Sequence, residues 1–265
     1  REFLAKRAGV AVLTLSWALF VVWIGYIYLT LNTQLLELVQ IPTRALQPVG
    51  PWLFKAHIYM QLPVCFLFAF LLGSGLIARD LKHGAVVLYM SKPINRWEYL
   101  LGKFSTLFLY CMLITWGQAT LLFLLQTAAA APHSEWRTHF WSEYARLPIA
   151  IFLYALCASG GISLMVLAAS SLCKNAQYAG LIFAGYVIGA SIVAAALVNN
   201  LHNRAWTLVS PLAVGGLLGA FFFEPQALEN ARIAEHWIWI ASGAHAGLNG
   251  AILVWRVARA ARLGR

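Results

Sequence analysis

The sequence predicts an all-α membrane protein with six transmembrane helices, cytoplasmic N- and C-termini, and a re-entrant or interfacial outer segment between spans 5 and 6. Three observations predict it. Of 265 residues, 61% are hydrophobic and only 11% charged, whereas soluble domains carry about 25% charged residues. Apolar runs of about 20 residues, enough to cross a bilayer as helix, recur along the chain. The basic residues, which give a net charge of +10, cluster at the ends of those runs, so topology explains that charge better than nucleic-acid binding does.

The whole chain, 1–265, reads as one transmembrane domain. Span 1 covers about 9–31, after Arg1, Lys6 and Arg7. Arg1 is not a methionine, so sequence is expected to precede it. The first apolar run reads as a span and not as a cleavable signal. Span 2 covers about 56–77, with a kink expected at Pro63. Spans 3 and 4 cover about 99–126 and 148–172, and Pro148 suits a helix start. Span 5 covers about 176–198 and span 6 about 237–255. The apolar stretch 207–223 holds Pro211 and three glycines and is at the short edge for a span.

Charge decides the number of spans. With six, 13 of the 19 basic residues face the cytoplasm. If 207–223 also crossed, the balance would become 10 against 9 and the positive-inside bias would vanish. Six spans with both termini inside is therefore preferred, and 207–223 becomes the outer re-entrant element. Trp52, Trp136, Trp141, Trp206, Trp237 and Trp239 gather at the expected outer boundary. Interfacial anchoring explains most of them; an aromatic vestibule for an amphiphilic cargo is the other reading.

The stretch from Gly73 to Lys103 organises the rest. It holds Arg79, Lys82, Lys92, Arg96 and Lys103, together with Asp80, the chain's one aspartate. Charges this dense would cost several kcal/mol each in hydrocarbon, so the 78–98 loop belongs in water. Leu81, Ala85 and Leu88 fall on one face of a short helix, weakened by Gly84 and ended by Lys92-Pro93. Asn95 then suits an N-cap with Glu98 at N3, and Ile94 with Tyr99 suits a hydrophobic staple. The loop reads as an elbow: helix, break, capped helix.

Two runs carry a family likeness. They are Gly75-Leu-Ile-Ala-Arg-Asp-Leu-Lys-His-Gly84 and Leu88-Tyr-Met-Ser-Lys-Pro-Ile-Asn-Arg-Trp-Glu-Tyr-Leu-Leu-Gly-Lys-Phe104. Together they resemble the cytoplasmic loop of ABC-2 type permeases, the membrane subunits of one class of ATP-driven exporters. The resemblance implies a transport subunit of a bacterial inner membrane, not an enzyme, paired with a second permease copy or a related chain. Two ABC ATPase subunits would carry ATP and Mg and dock at the elbow, with Asp80, Lys82, Lys92, Pro93, Arg96 and Glu98 as the contact and geometry residues. In such transporters span 5 belongs to the central contact, which makes Gly185 and Gly189 candidates for a dimer face. No cofactor is expected in this chain. It also lacks a P-loop, because Gly102-Lys103 is followed by Phe104 and no glycine stands at the required spacing.

Other constellations are weaker. In span 6, Gly243 and Gly247 suit close helix contact, and His245 and Asn249 lie at i, i+4. Those two could line a translocation path or make an interhelical polar contact. Gly160 and Gly161 in span 4 read as packing. The alternative function is a membrane-anchored haem-binding redox or scaffold subunit, which needs histidines at matched depth. Only His57 and His245 lie in or at the edge of spans, at different depths. An embedded enzyme is disfavoured because no acidic pair for metal or general acid–base work lies inside the membrane.

Overall fold

Length and apolarity set the elements in the computed structural model, which describes residues 2–32, 40, 47, 49–85, 89, 95–130, 144–226, 228 and 232–262. Among these there is helix and no strand. Helix α1 is Glu2–Leu31, α2 Pro51–Phe68, α3 Gly75–Lys82, α4 Arg96–Met112 and α5 Gln118–Ala130. Helix α6 is Leu147–Leu172, α7 Ala176–Leu201, α8 Pro211–Phe223 and α9 Glu235–Arg262. Two helices continue through a single wide π turn, at Ala69–Gly73 between α2 and α3 and at Leu113–Gly117 between α4 and α5. Counting through those turns, six helices are long and apolar enough to cross a membrane, bounded by Gly9–Leu31, Pro51–Lys82, Arg96–Ala129, Leu147–Leu172, Ala176–Leu201 and Glu235–Ala260. The chain is an all-α, multi-pass membrane protein.

The second helix begins earlier than its apolarity suggests. Pro51 sits in its first turn, where a missing N–H costs nothing, and Pro63 is accommodated within it. The π turn follows shortly after, and such bulges are how helices absorb an extra residue.

Helix α6 is the hub of the bundle, packing on α2, α3, α4, α7, α8 and α9. One apolar core, at the end of the bundle that holds the 49–53 turn, gathers Leu53, Phe54, Ile58, Leu122, Ile151, Tyr154 and Leu218. A second, at mid-depth, gathers Cys65, Leu107, Cys111, Ile114, Val166 and Phe183. A third joins Ile77, Tyr99, Leu100, Leu167, Leu253 and Val257 at the elbow end. Neighbouring side chains press onto the backbone where glycine permits: a Cβ on Gly73 would lie 3.0 Å from a Val166 methyl and 3.1 Å from a Leu107 methyl.

Three polar side chains inside the bundle pair with each other. The Gln61 amide donates to Gln118 Oε1 at 2.7 Å and to the Ser16 carbonyl at 3.1 Å. Gln118 Nε2 donates to Ser16 Oγ at 2.8 Å. All three residues are buried, and the knot ties α1, α2 and α5 together. Without water, an unpaired amide at this depth would be costly, so mutual pairing fixes the register of the three helices.

The stretch 202–223 turns back inside the bundle. After α7, His202 adopts φ 50 and a short 3-10 turn, Arg204–Val209, runs back along α7. Ser210 Oγ bonds Ser191 Oγ of α7 at 2.8 Å, far from that helix's end. Helix α8 then starts, with Ser210 accepting from Ala213 N–H and Pro211 in the first turn. Its 13 residues reach only about 20 Å at 1.5 Å per residue, short of the ~30 Å of hydrocarbon. It ends at Glu224, whose carboxylate meets Lys55 Nζ of α2 at 2.6 Å. Lys55 lies in the second turn of α2, so the stretch enters and leaves at the same end of the bundle.

Candidate functional site

The elbow is built from α3, α4 and the tail of α6. Helix α3 begins inside the bundle, immediately after the π turn. Its natural N-cap, Ser74, directs its hydroxyl to the Phe70 carbonyl at 2.7 Å and leaves the new helix's first amides uncapped. Ser170 of α6 supplies the cap instead. Its Oγ accepts from Ile77 N–H and Ala78 N–H, both at 3.0 Å, and donates to the Ser74 carbonyl at 2.7 Å. Those three bonds saturate the hydroxyl. The start of the elbow is therefore tied to the hub helix.

Asp80 makes the second tie. Its Oδ2 accepts from Tyr99 Oη at 2.8 Å and pairs with Lys103 Nζ at 2.9 Å. Lys103 also lies over the Tyr99 ring, 5.7 Å from its centroid. The Asp80 side chain is 17% exposed and the Lys103 side chain 25%, so this is a sheltered pair that locks α3 against α4. Helix α4 opens as expected: Asn95 is its N-cap, and the Glu98 carboxylate accepts from Asn95 N–H at 2.9 Å.

The candidate residues of the elbow thus divide. Asp80 is engaged within the chain. Glu98 is exposed and caps α4. Lys82 and Arg96 are exposed, at the end of α3 and the start of α4. Trp97 and Leu101, 57% and 59% exposed, continue that outer face. Lys92 and Pro93 lie outside the described residues. The helix expected across Leu81, Ala85 and Leu88 is interrupted: α3 ends at Lys82 and Gly84 takes φ +66, a left-handed conformation that glycine adopts without penalty, while Ala85 and Tyr89 are again helical and Leu88 lies outside the described residues.

His245 and Asn249 do different things. The Leu208 carbonyl can only accept, so His245 Nε2 carries the hydrogen of their 3.1 Å bond. Nδ1 then accepts from Tyr186 Oη at 2.8 Å. One ring joins α9, α7 and the 3-10 turn at its inner end. Asn249 donates to the His245 carbonyl of its own helix at 2.7 Å and is buried. His57 is fully buried on the other side of the bundle, edge-on to Phe20 and Trp23 of α1. The two histidines have no partner in common, and the matched pair that haem ligation needs is not brought together.

Gly185 and Gly189 sit on the outward side of α7, where an added Cβ would meet nothing within 4 Å. Tyr178, Leu181, Ile188 and Ile192 flank them, 57–64% exposed. Gly243 and Gly247 likewise meet nothing, so the close contact expected at that pair is not made within the chain.

Residue spacing alone misses four contributors: Ser170, the Tyr99 hydroxyl, Lys103 and the Ser16–Gln61–Gln118 knot. Only the knot leaves a signal, since two amides placed mid-span on different helices need partners.

Six helices long enough to cross a membrane, a charged elbow between the second and third, and a turned-back segment before the last define a multi-pass α-helical membrane protein. A family model described as "ABC-2 family transporter protein" matches residues 11–210, and the chain belongs to that family. Comparison with curated proteins gives no significant match.

Proposed function

We propose that the chain is the permease subunit of an ATP-driven ABC-2 type exporter and that the elbow receives force from a separate ATPase subunit. Lys82, Lys92, Pro93, Arg96 and the exposed Trp97 form the partner-facing side. Asp80 and Glu98 hold the shape of the elbow. The observation that carries this reading is the double tie of α3: Asp80 to Tyr99 and Lys103 on one side, Ser170 on the other. A push on an elbow anchored so firmly moves α4 and α6 as rigid bodies and does not dissipate in a loop. Switching of access is then a rigid-body transition biased by nucleotide on the partner.

In this reading the elbow and both termini face the cytoplasm, and the Lys55–Glu224 end faces out. Two permease chains meet along the α7 face around Gly185 and Gly189 and enclose the path between them. ATP and Mg bind the two ATPase subunits. Measuring the ATPase rate of the assembled complex tests it. Arg96→Glu is expected to abolish most of the permease-dependent stimulation while leaving the assembled permease folded; unchanged stimulation would remove the elbow from the mechanism.

A further inference from the structure

Between α2, α6, α8 and α9 lies a cavity of about 590 Å³, within the ~300–1,000 Å³ typical of small-molecule sites. Pro211 and His245 line its inner part, and Tyr59 and Trp239 line the part nearer the Lys55–Glu224 end. Among the described residues no aspartate, glutamate, lysine or arginine lines it. Tyr59, Leu212 and Trp239 are 54%, 40% and 43% exposed, so the space is open to the surroundings of the bundle.

Two features say what fills it. The first is glycine. Gly160 and Gly161 of α6, Gly215 of α8 and Gly243 of α9 all line the cavity, and a Cβ on any of them would meet nothing within 4 Å. At Gly219 and Gly180 glycine brings elements together: Cβ atoms there would lie 3.1 Å from Tyr154 and 3.0 Å from Phe70. The four lining glycines hold space open instead. The second feature is that the inner part of the lining offers almost no polar group. Ser242 donates to the Ile238 carbonyl, and both His245 nitrogens are bonded. The Tyr154 hydroxyl has no hydrogen-bond partner but is buried against Gly219. The polar groups that can meet a ligand are the Tyr59 hydroxyl and the Trp239 indole N–H, on exposed side chains nearer the Lys55–Glu224 end.

We propose that this cavity is a binding site for one hydrocarbon chain of a bilayer lipid, with the headgroup outside at the level of Tyr59 and Trp239. Inside the mouth the wall discriminates by apolarity alone, so it takes the hydrocarbon present around it in greatest excess, while the Tyr59 hydroxyl and the Trp239 N–H stand where a headgroup would lie. Aromatic side chains at the mouth match the headgroup boundary. The bound chain supplies the contact that α8 lacks on this side. The proposal rests on the membrane bundle and not on the coupling mechanism, so it stands or falls independently of ATPase stimulation.

The test is native mass spectrometry of the purified permease through successive detergent washes. Wild type is expected to retain one phospholipid per chain after bulk lipid is gone. The Gly161→Leu/Gly215→Leu double variant fills the space and should hold that lipid roughly tenfold more weakly, with no loss of thermal stability. Should the double variant fail to fold, Gly243→Leu on the facing wall gives the same reading. No retained lipid in wild type, or equal retention in the variants, overturns the proposal. A Gly243→Cys chain that forms a disulfide-linked dimer through this face also overturns it, by showing a second copy in the cavity.

Discussion

Two residues decide how firmly the elbow is held, and each can be tested alone. Ser170→Ala removes a hydroxyl that accepts from two amides and donates to one carbonyl. A lost cap costs about 0.5–2 kcal/mol, and leaving a buried N–H unpaired costs about 1–3 kcal/mol. Thermal unfolding in detergent should show a loss of about 2 kcal/mol, with Ser170→Thr recovering part of it. Asp80→Asn keeps an oxygen for the Tyr99 hydroxyl but drops the charge facing Lys103, whereas Asp80→Ala drops both. Hydrogen bonds to charged groups are worth about 1.5–3 kcal/mol. Asparagine should therefore destabilise less than alanine, and both should reduce ATPase stimulation in that order. If Asp80→Ala leaves stability intact, the pair with Tyr99 and Lys103 does not lock α3 to α4.

At the scale of elements, sequence and structure agree where the cause is local. The start of α4 follows from Asn95 and Glu98 as expected, and the break after α3 falls at Gly84, which the sequence marks as a weak point in a helix expected to run on to Lys92-Pro93. The apolar spans were legible because about 30 Å of hydrocarbon demands about 20 apolar residues whatever the fold. The two π turns were not legible, because nothing local distinguishes Ala69–Gly73 from the apolar helix around it. Nor was the cap in trans, since Ser170 and Ile77 meet only through packing. Glycines misled most. Gly160, Gly161 and Gly243 read as contact points, and a sequence does not separate a glycine that admits a neighbour from one that keeps a space. The Gln61–Gln118 pair offers a test at this scale. In a double-mutant cycle with leucine at both positions, the coupling should be about 0.6 kcal/mol and at most about 1.7 kcal/mol, the range of interhelical hydrogen bonds in membranes. Each single variant should keep the remaining amide's bond to Ser16, so the double should lose less than the sum of the two singles by that coupling.

At the scale of the whole molecule, the outer face of α7 is where one chain ends and the next is expected to begin. Leu181, Ile188 and Ile192 stand 57–64% exposed around Gly185. Apolar exposure inside a membrane does not by itself mark an interface, because lipid covers it at no cost; α1 exposes Val21 and Val22 at 62% and 67%. On α7 two open glycines, Gly185 and Gly189, repeat at i, i+4 on that face, whereas α1 has the single Gly25 beside Val21 and Val22, and membrane helices associate by close approach where small side chains repeat. Gly185→Trp discriminates between the two coverings. In the isolated chain the new side chain meets open space, so thermal stability of the monomer should hold. If the face is a pairing surface, the indole keeps the backbones apart and the dimer weakens by roughly tenfold or more, about 1.4 kcal/mol, as read by single-molecule photobleaching in bilayers. ATPase stimulation should fall with it. Val22→Trp on α1 serves as the control and should change neither quantity. If Gly185→Trp also leaves both unchanged, lipid covers α7 and the two chains meet elsewhere, which would move the translocation path away from this helix.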